Sequence, residues 1–153
     1  MTRILTSLGM NDTRIRLEPG RAQRLAQTYL APGKPTPRFD CGVFAPACAF
    51  VSTADDMLKL LAANLAPARS GGLPAVFATM RRPRATVWPG MDVGLGWHID
   101  SSSGHAVVWH NGGTFGSSAF IAYDTVAGTG VVVLSNTGQS IDDVGFRLIY
   151  GQR

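Results

Sequence analysis

The chain has 153 residues, 45% hydrophobic and 16% charged, which gives enough apolar material for a core and too little charge for a disordered chain. The formal net charge of +4 is almost all arginine, with Lys34 and Lys59 the only lysines. The single basic cluster, Arg81-Arg82-Pro83-Arg84, lacks the interleaved aromatics of a nucleic-acid surface and reads as a solvated loop.

No run of 18 apolar residues occurs, so no membrane-spanning helix is expected. The opening MTRILTSLGMNDTR lacks the apolar core of a signal peptide, which predicts a cytoplasmic location for the chain as given. Two cysteines, Cys41 and Cys48, form no disulfide framework; one bridge is feasible, and the expectation is two buried free thiols. Three scattered histidines and two cysteines offer no metal-ligand spacing, and no cofactor is expected.

In chain order, residues 1–20 look irregular, with a turn at Asn11-Asp12-Thr13. Residues 18–30 have helical character, with Leu25, Ala26 and Tyr29 on one side. Residues 31–40, APGKPTPRFD, read as an extended loop. After a short apolar run, 44–51, Ser52 is placed to cap a helix with Asp55 and Asp56 in its first turn, against the positive helix end. Ala54, Met57, Leu58, Leu61 and Leu65 then form one apolar face, and Pro67 and Gly71-Gly72 stop it. A shorter helix is expected over 74–80, a loop over 81–92 and a strand over 93–100 carrying Trp97 and His98. Three short runs follow, Ala106–Trp109, Ala119–Tyr123 and Val131–Leu134. They are β-branched or aromatic and separated by Gly or polar turns, as in adjacent antiparallel strands. Ser140 is placed to cap a last helix, 141–150, with Ile141, Val144, Leu148 and Ile149 toward the sheet. The expected fold is α+β: one domain, residues 1–153, with helices first, then an antiparallel sheet of about four strands, then a covering C-terminal helix.

Chemistry concentrates in His110-Asn111-Gly112-Gly113-Thr114, read as a polar turn on a sheet edge. Glycines after a strand let a ligand approach the backbone, and Gly113 can offer its N–H to a developing oxyanion. His110 can act as general acid or base or donate to a substrate carbonyl, and Thr114 adds a hydroxyl. The same spacing also fits a conformational hairpin with a surface histidine. His98 and His105 read as structural or exposed, and Ser117-Ser118 have no base at a diagnostic spacing.

Several motifs occur in a recognisable order: Leu8-Gly9-Met10-Asn11-Asp12-Thr13, then PxxxFVSTADDM over 46–57, GLGW over 94–97, HNGGTFGSSAFIAYD over 110–124 and GVVVLSN over 130–136. Together they resemble the C-terminal part of the serine β-lactamase superfamily, in particular the class C branch with its D-alanyl-D-alanine carboxypeptidases and esterases. The resemblance covers about residues 8–150. It implies that His110-Asn111-Gly112 stands where the family has its Lys/His-Thr-Gly motif, on the strand edging the active site, with Gly113 supplying an oxyanion N–H. The family's A-G-G-L-x-S-T stretch is matched by residues 47–53, with Cys48 and Ala49 in place of both glycines.

The family's nucleophile motif, Ser-x-x-Lys, is absent, because Ala31 and Asp56 stand three residues before the two lysines. Tyr-x-Asn and Ser-x-Asn are absent as well, and so is Gly-x-Ser-x-Gly. The resemblance therefore implies the C-terminal half of a serine hydrolase acting on β-lactams, esters or D-amino-acid peptides, with weak or no turnover alone. The alternatives are a non-catalytic binding module and a hydrolase rebuilt around His110. The expected partners are a small acyl substrate or peptide, and a second copy or complementary fragment at an exposed sheet edge; nucleic acid and membrane are not expected.

Overall fold

The computed structural model describes residues 2–66 and 72–151. A six-stranded antiparallel sheet runs in simple sequence order: β3 (Ala85–Trp88), β4 (Met91–Val93), β5 (His98–Asp100), β6 (Val107–Gly113), β7 (Ser118–Asp124) and β8 (Thr129–Ser135). A separate hairpin pairs β1 (Thr28–Ala31) with β2 (Lys34–Thr36). The α+β class holds, with six strands in the main sheet where about four were expected.

Alternation along the strands sorts the core into two layers. On one face Leu61, Ile99, Val108, Ile121 and Tyr123 cluster under helix α4 (Ala54–Leu65). On the other, Val107, Phe120, Ala122 and Ile149 cluster under helix α6 (Asp142–Tyr150). The sheet is thus covered on both sides, and strand β7 is buried along nearly its whole length. The remaining helices are short: α1 (Thr2–Leu5), α2 (Pro19–Ala22), α3 (Ala45–Cys48) after a 3-10 turn at Gly42–Phe44, and α5 (Gly72–Met80).

Helix α4 starts one residue later than its sequence implies. Thr53, not Ser52, accepts the N–H of Asp56, at 3.2 Å. Ser52 is taken up by a tertiary hydrogen bond with Thr13, at 2.8 Å. The buried stripe comprises Met57, Leu61 and Leu65, whereas Ala54 and Leu58 are exposed. The helix ends at Leu65, with Ala66 as its C-cap; of the residues expected to stop it, Pro67 and Gly71 lie outside the described residues and Gly72 opens α5.

Several local expectations change. Only Pro19–Ala22 is helical within 18–30, because the β-favouring Thr28-Tyr29-Leu30 joins β1. The loop expected over 31–40 contains β2. The loop expected over 81–92 contains the β3–β4 hairpin, turned at Gly90 with φ 85°. The strand expected over 93–100 breaks into β4 and β5 around Gly94–Trp97. Ile149 of α6 and Ile141 just before it pack on the sheet as expected. Val144 and Leu148 are each 43% exposed, and Gly145 and Phe146 take the inner positions. Ser140 Oγ accepts from Asp142 N at 3.2 Å, while the helix N-cap position itself falls to Ile141. Cys41 and Cys48 are joined in a disulfide, not free; the 3-10 turn and α3 bring their Cα atoms to 6.0 Å.

Candidate active site

His110 to Gly113 do not form a turn. They are the last residues of strand β6, paired to β7 through His110↔Ile121, Asn111↔Phe120, Gly112↔Ala119 and Gly113↔Ser118. The turn follows, closed by Thr114 N–H donating to Ser117 O at 2.8 Å. The edge character is nonetheless present. Strand β5 pairs with β6 only as far as His98↔Trp109, so among the described residues no strand continues beside 110–113 on that side. The short β5 leaves the second half of β6 as an open edge within the sheet.

Gly112, Gly113 and Thr114 line a groove of about 780 Å³ that Ser52, Thr53 and Ser118 also border. A Cβ at Gly112 would meet nothing within 4 Å, and at Gly113 only Ser117 O at 3.9 Å. The fold therefore has no steric need for either glycine, and the space they leave is open. That is the property a ligand lying along the strand requires.

Asn111 sits differently. Its Nδ2 donates to Asp142 Oδ2 at 2.6 Å, tying β6 to the start of α6, and it borders a smaller cavity of about 230 Å³ with Gly138, Ser140 and Asp142. His110 is exposed and borders neither cavity; the His98 ring lies 5.8 Å from it and 4.5 Å from Trp109. Of the five residues singled out from sequence, the structure brings three to the main groove.

Polar groups elsewhere on α4 and β7 are structurally engaged. Lys59 Nζ donates to Gly9 O and Asp56 Oδ1, each at 2.8 Å. Asp56, 2% exposed, also accepts from Asp12 N at 2.8 Å and Thr13 Oγ1 at 2.9 Å. Burial pushes its carboxyl up, but the bonds from Lys59, Asp12 N–H and Thr13 outweigh this and hold it below 3.8. This network joins the LGMNDT segment to the start of α4, alongside the Arg14↔Val51 bridge. Tyr123 is fully buried and its hydroxyl donates to Asn64 at 3.2 Å; burial pushes its pKa up to about 12, so it serves as a donor and not as a base.

The beta-lactamase family model matches residues 1–151. This chain belongs to the beta-lactamase family. It is 33% identical over 162 residues to an unguisins hydrolase of Aspergillus campestris, covering 97% of this chain and 30% of that protein. Among solved structures, it resembles the beta-lactamase/D-alanine carboxypeptidase of Pseudomonas syringae, with TM-score 0.82 and 18% identity over 95% of this chain and 49% of that one. The D-alanine carboxypeptidase AmpC of Burkholderia cenocepacia superposes equally well, with TM-score 0.82 and 21% identity over 99% of this chain and 54% of that one. The chain thus spans about a third of the hydrolase and about half of each solved neighbour. Among the described residues, no helix is long and apolar enough to cross a membrane.

The main groove holds residues that local sequence could not have nominated. Arg21, Arg24 and Arg38 enter it from the N-terminal third of the chain. Their only signal was the arginine-rich charge balance, which says nothing of position.

Proposed function

We propose that this chain forms the substrate-side wall of a serine acyl-transfer site, and that alone it turns substrate over weakly or not at all. The observation that carries this reading is the open end of β6, with Gly112 and Gly113 lining a groove of about 780 Å³. In such a reaction a serine oxygen attacks an amide or ester carbonyl and water later releases the acyl group. This chain contributes Gly112 and Gly113 beside the reacting carbonyl, with the Gly113 N–H offered to the oxyanion and Thr114 at the groove rim. Asn111 holds the strand to α6. The expectation of weak turnover rests on two observations. No serine stands three residues before a lysine, and Lys59 is committed to Gly9 and Asp56. A non-catalytic or self-associating module is the second reading, and it is favoured by β8, which among the described residues pairs only with β7.

The test uses the purified chain with a chromogenic cephalosporin and a p-nitrophenyl ester. The expected result is no burst and an unchanged intact mass, with ligand-induced NMR shifts at Gly112, Gly113 and Thr114. An acyl adduct on one of this chain's serines would overturn the weak-turnover reading, and activity lost in His110→Ala would point to a site rebuilt around that histidine. Gly113→Ala is expected to fold normally and to weaken binding about tenfold, since its methyl enters the ligand's space and little else.

A further inference from the structure

The Cys41–Cys48 bridge plays no part in the core. It joins residues seven apart on one stretch of chain, and neither cysteine belongs to the clusters under α4 or α6. A loop this short also gains less from cross-linking the unfolded chain than a long one. What the bridge holds is local. The 3-10 turn Gly42–Phe44 and α3 pack mainly on each other, with Val43 89% and Phe44 73% exposed. Gly42 N–H donates to Asp40 Oδ1 at 2.9 Å, and Arg38 fixes the far end by donating to Ala49 O at 2.8 Å. Opening the bridge therefore frees this segment and leaves both core layers intact.

The segment borders the main groove. Ala47, Cys48 and Phe50 line the same space as Gly112, Gly113 and Thr114. The two cysteines are unequal there. Cys41 is 7% exposed and lies off the groove, whereas Cys48 is half-buried and lines it. Cys48 also stands where the family's A-G-G-L-x-S-T has a glycine, so this sulfur is the chain's own addition to the groove wall. Thiol–disulfide exchange is decided by which sulfur an incoming thiolate reaches. From the groove, that sulfur belongs to Cys48.

We propose that Cys48 is a thiol-exchange site: a low-molecular-weight thiol enters the groove, opens the bridge by attack at Cys48 and, while held there as a mixed disulfide, occupies the groove. The thiolate forms a bond to Cys48 Sγ as the Cys41–Cys48 bond breaks. The bonding pair leaves on Cys41 Sγ, which takes the proton the incoming thiol gave up. The products are a mixed disulfide at Cys48 and a free thiol at Cys41, with no net oxidation or reduction. The return step is built in. With Cα atoms 6.0 Å apart, Cys41 attacks Cys48, expels the small thiol and restores the bridge. Groove occupancy thus follows the thiol concentration. The exchange needs the groove's space and no acyl chemistry, so it stands apart from the function proposed above.

The test incubates the full chain with reduced glutathione and quenches with N-ethylmaleimide, so that free thiols are alkylated and mixed disulfides survive. Peptide mass spectrometry is expected to find glutathione on Cys48 and N-ethylmaleimide on Cys41, at least about tenfold over the reverse pattern. Equal amounts of the two patterns, a bridge reduced with no Cys48 adduct at any time point, or no opening by a large excess of glutathione would overturn the proposal. Cys41→Ser removes the returning thiol, so glutathione disulfide should leave a lasting adduct on Cys48. That adduct is expected to shift the NMR amide signals of Gly112, Gly113 and Thr114, and dithiothreitol to reverse the shift. Amides unmoved by a quantitative adduct would show that it lies outside the groove and sink the idea. Where Cys41→Ser fails to fold, the quenched unmodified chain supplies the same adduct for the NMR comparison.

Discussion

Asp56 shows how a single side chain ties distant motifs together. It lies in the first turn of α4, where the helix end favours an anion, and it accepts from Asp12 N, Thr13 and Lys59. Asp56→Ala would leave the Asp12 N–H without its acceptor, a loss of about 2 kcal/mol, visible as a lower urea midpoint. The same network gives acid sensitivity. Burial opposes ionisation of both Asp56 and Asp124, yet the hydrogen bonds to each prevail and hold both below 3.8. The folded state then binds fewer protons than the unfolded one between the folded value and 3.8. Stability from these groups is complete above the unfolded value and is lost as pH falls through the folded one. Urea midpoints are expected to be level near pH 6 and to fall below about pH 4, with a shallower fall in Asp56→Ala. An identical acid slope in that variant would refute the assignment. The sequence pointed to acids in the first turn of this helix, but not to Thr13 as their partner 43 residues away. That same partnership removed Ser52 from the cap, since two adjacent hydroxyl residues competed and tertiary contact decided between them.

Periodicity located the long elements well, and failed where burial was slight. Strands β6, β7 and β8 alternate between two covered faces, so their apolar pattern was visible. Strand β3 is exposed along its length, and Pro83 and Pro89 flank it; such a segment looks like a loop until its partner β4 is known. Helix α6 shows the reverse error. Its apolar residues suggested Val144 and Leu148 as inner positions, but the closest approach to the sheet belongs to Gly145. A methyl there would lie 2.2 Å from Phe120 Cδ1, and Phe120 is 1% exposed. Gly→Ala in an ordinary helix interior gains about 1 kcal/mol from propensity. Here overpacking of a fixed ring costs about 1–3 kcal/mol, so the clash wins. Gly145→Ala is expected to lower the melting temperature by several degrees, and pairing it with Phe120→Leu should give less than the sum of the two losses. Full additivity would show that the ring is not the obstacle. The groove followed the same division. Gly112, Gly113 and Thr114 were legible because glycines follow a strand, while Arg21, Arg24 and Arg38 carry no periodicity and converge only when the fold brings the first 38 residues to the sheet.

For the molecule as a whole, the two ends of the sheet are unequal. Strand β3 has four residues, an irregular register against β4 and prolines on both sides, all features that discourage pairing. Strand β8 has seven residues, Thr-Gly-Val-Val-Val-Leu-Ser, with no charge and no proline. Among the described residues it pairs only with β7, and the one bridge nearby, Tyr29↔Thr137, lies beyond its end. Its central valines already sit in the two cores, and Leu134 on the strand is 43% exposed. Such an edge is self-complementary: two copies related by a two-fold axis can pair β8 antiparallel, each completing the other's backbone hydrogen bonds. The self-association we infer is therefore a concentration-dependent dimer through β8. Light scattering should show the mass rising toward twice 16.2 kDa as concentration increases. Hydrogen exchange should slow along 129–135 over the same range. Leu134→Lys puts on that strand the kind of charge that discourages edge pairing, and the transition should move to higher concentration at unchanged melting temperature. A constant monomer mass across the full range, with β8 amides exchanging at one rate throughout, would show that the edge is protected in some other way and that the chain stands alone in solution.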